Sequence, residues 1–192
     1  MKEMRQEFSD MLLEVGMSDP NLVVLVGDIS HFRLIPFAQA CPGRYYNVGI
    51  CEQTIVNMAA GLAMTGFFPV VHTIAPFLVE RAYEQIKLDL CYQKIGANIL
   101  TVGSAFDYST LGCTHHCYTD FALLKPLPDI EILFPASSIE LNTLFKQTYN
   151  NGKVTYIRIP KCSHEHAFEP KELKVGKGIK VKKGKDLSLI HI

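Results

Sequence analysis

The chain has 192 residues, 48% hydrophobic and 20% charged, which supports a packed core and is too apolar for a disordered chain. Its 19 basic and 19 acidic residues cancel, and no arginine or lysine stripe precedes the tail, which argues against nucleic acid as the main partner. The longest apolar stretch, Ile55 to Ile74, is interrupted by Asn57, Gly61, Gly66, Pro69 and His72 and changes period midway, so no membrane span is expected.

The opening "MKEMRQEFSDMLLEVGMSD" is broken by charges throughout, unlike an export signal. Met4, Phe8, Met11, Leu12 and Val15 instead fall on one face of a helix. Without an export signal, the six cysteines read as reduced thiols and the compartment as cytoplasmic. A net charge of zero suits a subunit that lives inside a complex.

"NLVVLVGD" reads as a fully buried strand ending at Gly27 and Asp28. "RYYNVGI" reads as a second strand, delivering the chain into a helix from Glu52 to Thr65. "FFPVVHTI" is a third strand. One helix is expected through "PFLVERAYEQIKLDLCYQ", with Leu78, Ala82, Ile86 and Leu90 about a turn apart. "ANILTVGS" is a fourth strand, followed by a polar loop through "DYSTLGCTHHCYTD"; "DIEILFPAS" is a fifth, "SIELNTLFKQTYNN" a helix and "KVTYIRIP" a sixth strand. Strand–helix alternation with short connections predicts an α/β fold: a mainly parallel six-stranded sheet with helices on both faces. Ligands of such sheets gather at the carboxyl ends of the strands, where Asp28, Glu52, Phe77 and the His115 loop all fall. Residues 1–162 form this domain, and 163–192 read as a linker, a hairpin turning at "KKGK" and, in "DLSLI", the start of a truncated or missing further domain.

Glu52 admits two readings. Flanked by Ile50, Cys51 and an alanine- and glycine-rich helix, its carboxyl is desolvated, which raises its pKa and lets it share a proton with a nitrogen base. Alternatively it is a water-exposed first-turn glutamate favoured by the helix dipole. Cys113, His115, His116 and Cys117, with Cys162, His164 and His166, are metal-ligand types, but their spacing matches no usual zinc signature, so no metal site is expected.

The run "GICEQTIVNMAAGLAMTGFFPVVHTIAPF", with "GD" before it and "LGCTHH" and "DIEILFPASSIEL" after it, resembles the pyrimidine-binding domain of the transketolase family from about Asn21 to Lys161. The resemblance implies thiamine diphosphate as cofactor. In that family the acid of the "G-I-x-E" turn, Glu52 here, hydrogen-bonds N1′ of the aminopyrimidine, and its proton drives the 4′-amino/4′-imino tautomerism that activates the thiazolium. Phe77 takes the position of the ring that stacks on the pyrimidine, and Asp28 and Ile29 match the acid and apolar wedge at the first strand end. His115 matches the substrate-binding histidine of "G-x-T-H". The cation that grips a sugar phosphate aligns with Lys161, with Arg158 as a nearby substitute.

Several positions depart from the pattern. Ile74 and Glu80 stand where aromatics are frequent, Leu111 where an aspartate precedes the glycine, and Gly103 where another histidine is common. The sequence contains no "GDG", the triplet that with a downstream Asn supplies the oxygen ligands of Mg²⁺ on the diphosphate. The resemblance therefore implies a partner subunit carrying that motif, in a hetero-oligomer that also self-dimerises. The expected activity is ketol transfer between sugar phosphates or related sugars. Alternatives are a 2-oxo acid dehydrogenase β-subunit, a deoxyxylulose phosphate synthase-like enzyme, and a non-catalytic scaffold or Cys/His metal-responsive module.

Overall fold

The computed structural model describes residues 2–163 and 168–180 and the backbone of 190–191. Six strands, β1 (Leu22–Val26), β2 (Tyr45–Asn47), β3 (Phe68–Ile74), β4 (Ala97–Val102), β5 (Glu131–Leu133) and β6 (Val154–Ile159), form one sheet in the order β2-β1-β3-β4-β6-β5. Every pairing in it is parallel, in the register Val24↔Tyr45, Val24↔Val70, Val70↔Asn98, Ala97↔Val154 and Glu131↔Thr155. The four inner strands are buried along almost their whole length because both faces are covered.

Alternation along each strand sorts the core into two halves. Leu22, Val24 and Val26 pack with Phe8, Leu12 and Phe145, under α1 (Met4–Ser18), α2 (His31–Ala40) and α7 (Ser138–Thr148). Val23 and Leu25 pack with Ile55, Ala59 and Leu78, under α3 (Glu52–Met64), α4 (Ala75–Val79), α5 (Tyr83–Gln85) and α6 (Asp120–Leu124). The small residues of α3 let it lie close on the sheet. Met4, Phe8, Met11, Leu12 and Val15 form the buried stripe of α1 that their spacing predicts.

Two expectations need correction. The helix predicted through Pro76–Gln93 is broken. α4 stops at Val79, residues 80–82 turn, α5 restarts at Tyr83, and Ile86–Tyr92 continues as a π-helix. Leu78, Ala82, Ile86 and Leu90 are still all fully buried, so the periodicity reported the buried face correctly and not the backbone. At the break, the Arg81 carbonyl accepts from Gln53 Nε2 at 3.1 Å, so α3 supplies the bond that a continuous helix would have made itself. Helix α2 is an addition, with Pro36 in its interior. In the tail, β7 (Ile179–Lys180) pairs antiparallel with β8 (Ile190–His191). The turn expected at Lys182–Lys185 lies outside the described residues, as does most of "DLSLI".

The chain steps from β1 outward to β2 and then back across to β3, so the strand order reverses between β1 and β3. The crevice outside the carboxyl ends at such a reversal is the natural ligand position of an open parallel sheet. Gly49, at φ +82°, makes the turn that carries β2 into α3, and Asn47 Oδ1 accepts from its backbone N–H at 3.1 Å.

His72, on β3, is fully buried against the Phe8 ring at 4.3 Å. Its Nδ1 donates to the Leu100 carbonyl at 2.8 Å, so Nε2 accepts from the Ser30 hydroxyl at 3.0 Å, and Ser30 in turn accepts from Arg5 Nη2 at 2.9 Å. Burial pushes its pKa down to about 4. The unfolded chain takes up this proton near the ordinary histidine value, whereas the folded chain resists until about 4. The His72 contribution is therefore whole above that ordinary value and is lost as pH falls towards 4, by about 3 kcal/mol in total. Urea unfolding between about pH 7 and pH 5, above most carboxylate titration, is expected to show stability falling with pH; a flat profile there would contradict it.

Candidate active site

Glu52 sits in the first turn of α3 and is 1% exposed, which excludes the reading of a solvated dipole-facing residue. One carboxyl oxygen, Oε2, accepts from Arg81 Nη1 at 2.8 Å. The other, Oε1, is buried with no partner. A buried lone acceptor is costly unless something pairs with it.

Around it the expected side chains converge. The Arg81 guanidinium lies 4.5 Å from the Phe77 ring centroid. The His115 ring meets the same Phe77 ring edge-on, at 5.0 Å and 69°. Glu52, Arg81, Phe77 and His115 thus form a continuous chain of contacts across α3, α4, the turn after it and the polar loop. Thr114 Oγ1 lies 3.0 Å from His115 Nδ1, so the hydroxyl engages that nitrogen and not Nε2. The loop that carries His115 is pinned by the Ala105–Cys117 bridge and by Asp107 Oδ2, which accepts from the N–H and hydroxyl of Ser104, both at 2.9 Å.

Asp28 and Ile29 follow β1. Asp28 and Ser30 are both left-handed, at φ 54° and 57°, unusual for residues with side chains. The strain is held in place. Asn47 donates to Asp28 Oδ1 and accepts from the Asp28 N–H, each at 3.1 Å, and Ser30 is fixed by His72 and Arg5. Between these anchors Ile29 packs partly against the α1-side core.

The remaining positions divide. Lys161 is exposed past β6, its N–H donating to Asp107 Oδ2 at 2.9 Å, on the rim of a cleft of about 120 Å³ that Gly103, Tyr108 and Arg5 also line. Arg158 is not a free cation. Its guanidinium lies over the Phe121 and Phe134 rings at 4.1 and 4.3 Å, two rings that meet edge-to-face at 5.9 Å, and bonds Asp120 at 2.8 and 3.0 Å, so the expectation of a substrate-gripping Arg158 gives way to a structural one. Gly103, at φ +84°, has the Tyr108 ring 2.4 Å from where a Cβ would stand, so tyrosine fills the space beside the missing histidine. Ile74 packs into the core, Leu111 is 56% exposed, and Glu80 accepts from Thr119 at 2.6 Å. Among the described residues no three His, Cys, Asp or Glu side chains come together as a metal site; His164 and His166 lie outside them. Burial pushes the Cys117 thiol up to about 12, which makes it a poor nucleophile.

The spacing readings missed Arg81. A signal was present, because Phe77 and Arg81 stand four apart, on one face of any helix through both.

A model of the family described as the transketolase pyrimidine binding domain matches residues 1–165. The chain belongs to that family. Among curated relatives of this transketolase-type chain is a subunit of the apulose-4-phosphate transketolase of Phocaeicola vulgatus, 32% identical over 97% of the chain and 61% of the relative. Another is the 1-deoxy-D-xylulose-5-phosphate synthase of Thiobacillus denitrificans, 33% identical over 95% of the chain and 30% of the relative. A solved structure described as a split gene transketolase, inactive beta4 tetramer, superposes with a TM-score of 0.84 at 30% identity, covering 97% of the chain and 60% of that structure. The chain therefore spans about three fifths of the subunit-type relatives it matches. A transketolase pyrimidine domain implies thiamine diphosphate. No helix among the described residues is long and apolar enough to cross a membrane.

Proposed function

We propose that the chain is one subunit of a two-chain, thiamine diphosphate-dependent transketolase that transfers a two-carbon ketol group between sugars, with Glu52 serving the cofactor's aminopyrimidine. One observation carries the reading: a carboxyl 1% exposed, with Oε1 unpaired, beside an aromatic ring and a histidine. That orphaned oxygen is what a protonated ring nitrogen needs as a partner, so the residues present fit the cofactor. When bound, the cofactor supplies a thiazolium carbon able to attack a carbonyl and hold the transferred unit.

This chain supplies the surroundings. Glu52 holds and returns a proton at N1′ of the pyrimidine, a role that suits a sheltered acid better than a solvated one. Phe77 offers a ring face and Ile29 an apolar wedge, kept in place by the pinned residues at 28 and 30. His115 presents Nε2 to a sugar hydroxyl or carbonyl oxygen. Lys161 offers one cation to a substrate phosphate, a point charge and not a bidentate fork. With no Gly-Asp-Gly triplet in the sequence, Mg²⁺ and the diphosphate fall to a partner subunit carrying "GDG" and a downstream Asn. The names of the subunit-type relatives support a split arrangement, in a hetero-oligomer that also self-dimerises. A cytoplasmic setting agrees with six free cysteines.

A second reading, deoxyxylulose phosphate synthase-type chemistry, is favoured by the relative of that name at 33% identity. Incubation of the chain with its partner, thiamine diphosphate, Mg²⁺ and an aldose acceptor, with a ketose phosphate and a 2-oxo acid supplied as competing donors, separates the two. Ketol transfer is expected without CO₂. Release of CO₂ from a 2-oxo acid, with no transfer from the ketose, would overturn the transketolase reading.

A further inference from the structure

We infer that Arg81 is a placeholder: in the chain by itself its guanidinium occupies the position of the cofactor's aminopyrimidine, on the Glu52 carboxyl and against the Phe77 ring. The inference rests on the cofactor reading above and adds a residue to which nothing in that reading gives a part.

The two surfaces a planar aminopyrimidine needs are a buried carboxyl and an aromatic face. Arg81 takes both at once, with Nη1 2.8 Å from Glu52 Oε2 and Cζ 4.5 Å from the Phe77 centroid. A guanidinium is the side chain suited to do so, being flat, delocalised and rich in N–H donors. The His115 ring also packs on Phe77, at 5.0 Å and 69°, and a pyrimidine stacking where Arg81 lies cannot enter until Arg81 leaves.

The contact also answers a physical difficulty of the site. A carboxyl 1% exposed and wholly unpaired is expensive. Arg81 relieves half of that cost, leaving only Oε1 without a partner. A ring nitrogen paired with Glu52 would keep one oxygen of the carboxyl bonded when the guanidinium leaves, so the exchange would not strand a wholly unpaired acid.

Arg81 is also built to move. It stands in the turn between α4 and α5, not inside a helix, and its side chain is 41% exposed, so solvent is a short swing away. An ion pair with one solvent-accessible partner holds weakly enough to be exchanged. The backbone meanwhile stays fixed, because the Arg81 carbonyl is held by Gln53 from α3.

The test uses thiamine, which carries the aminopyrimidine without the diphosphate and so asks nothing of a partner or of Mg²⁺. It is titrated into the full chain and followed by ligand-observed NMR. Arg81→Ala is expected to bind about tenfold tighter than wild type, the factor imposed when the binding-competent state is populated about a tenth of the time. Arg81→Lys is expected to fall between, since an ammonium keeps the charge but cannot lie flat on the ring. Arg81→Gln, which keeps polar bulk, and a circular dichroism spectrum guard against misfolding. Affinity in Arg81→Ala and Arg81→Gln equal to or weaker than wild type, or no binding at all, overturns the placeholder. A gain that survives intact in a Glu52→Ala/Arg81→Ala double variant overturns the cofactor reading itself. If Glu52→Ala weakens binding while Arg81→Ala does not strengthen it, the placeholder alone falls.

Discussion

Glu52→Gln, assembled with the partner chain, is expected to keep its thiamine diphosphate affinity within a few fold and to lose about 10²- to 10⁴-fold in kcat, the usual range for a positioned general acid–base group. The substitution preserves shape and a hydrogen-bonding oxygen but cannot hand over a proton. At 1% exposure there is no water at hand to replace it. Steady-state kinetics with a separate cofactor titration divides binding from chemistry: an interaction needed only in the reaction lowers kcat and kcat/KM together. Turnover within a few fold of wild type would remove Glu52 from the mechanism. Loss of cofactor binding in proportion to activity would reduce it to an anchor.

The second large effect is on stability. Asp120→Ala is expected to cost about 3–5 kcal/mol in urea unfolding, as removal of one partner from a buried ion pair does. Asp120 is fully buried. It accepts from Arg158 Nη1 at 2.8 and 3.0 Å and from the Tyr156 hydroxyl at 2.7 Å, and Tyr156 accepts from Thr101 at 3.1 Å. Burial, first, and the Asp120 charge raise the Tyr156 phenol well above its ordinary range, so it remains a donor. Without Asp120, a guanidinium buried against two rings has no counter-charge, and its Nε already lacks a partner. The double variant Asp120→Ala/Arg158→Met is expected to recover much of the loss, because it removes the stranded charge with the pair. A loss below about 1 kcal/mol in the single variant would place this network with ordinary surface pairs.

The six strands and their parallel arrangement were legible because buried parallel strands write themselves as unbroken β-branched runs. "LVVLV" and "ANILTV" leave no other economical reading. Helix α2 was not legible, since Pro36 lacks an N–H and its ring crowds the preceding turn; packing of Leu34 and Phe37 into the core outweighs that penalty. The break at Arg81 was hidden for a different reason. There the Arg81 carbonyl bonds Gln53, far off in sequence, and no local period registers a distant side chain bonding a carbonyl. At the site, Glu52, Phe77 and His115 were named from the family resemblance and meet in space. Physical reading alone left Glu52 undecided between sheltered and solvated. Arg158 misled because strand-end arginines look free in sequence, while its aromatic and acidic partners arrive from the first turn of α6 and from just past β5.

Each residue assigned to the proposed centre hangs from the end of a separate strand: Asp28 and Ile29 after β1, Glu52 after β2, Phe77 after β3, the His115 loop after β4 and Lys161 after β6. A parallel sheet joins such pieces only through long-range closures. The chemistry is therefore a late property of the finished molecule, belonging to no autonomous fragment. Excising any one strand–helix unit would carry away a single ingredient and leave the reaction behind.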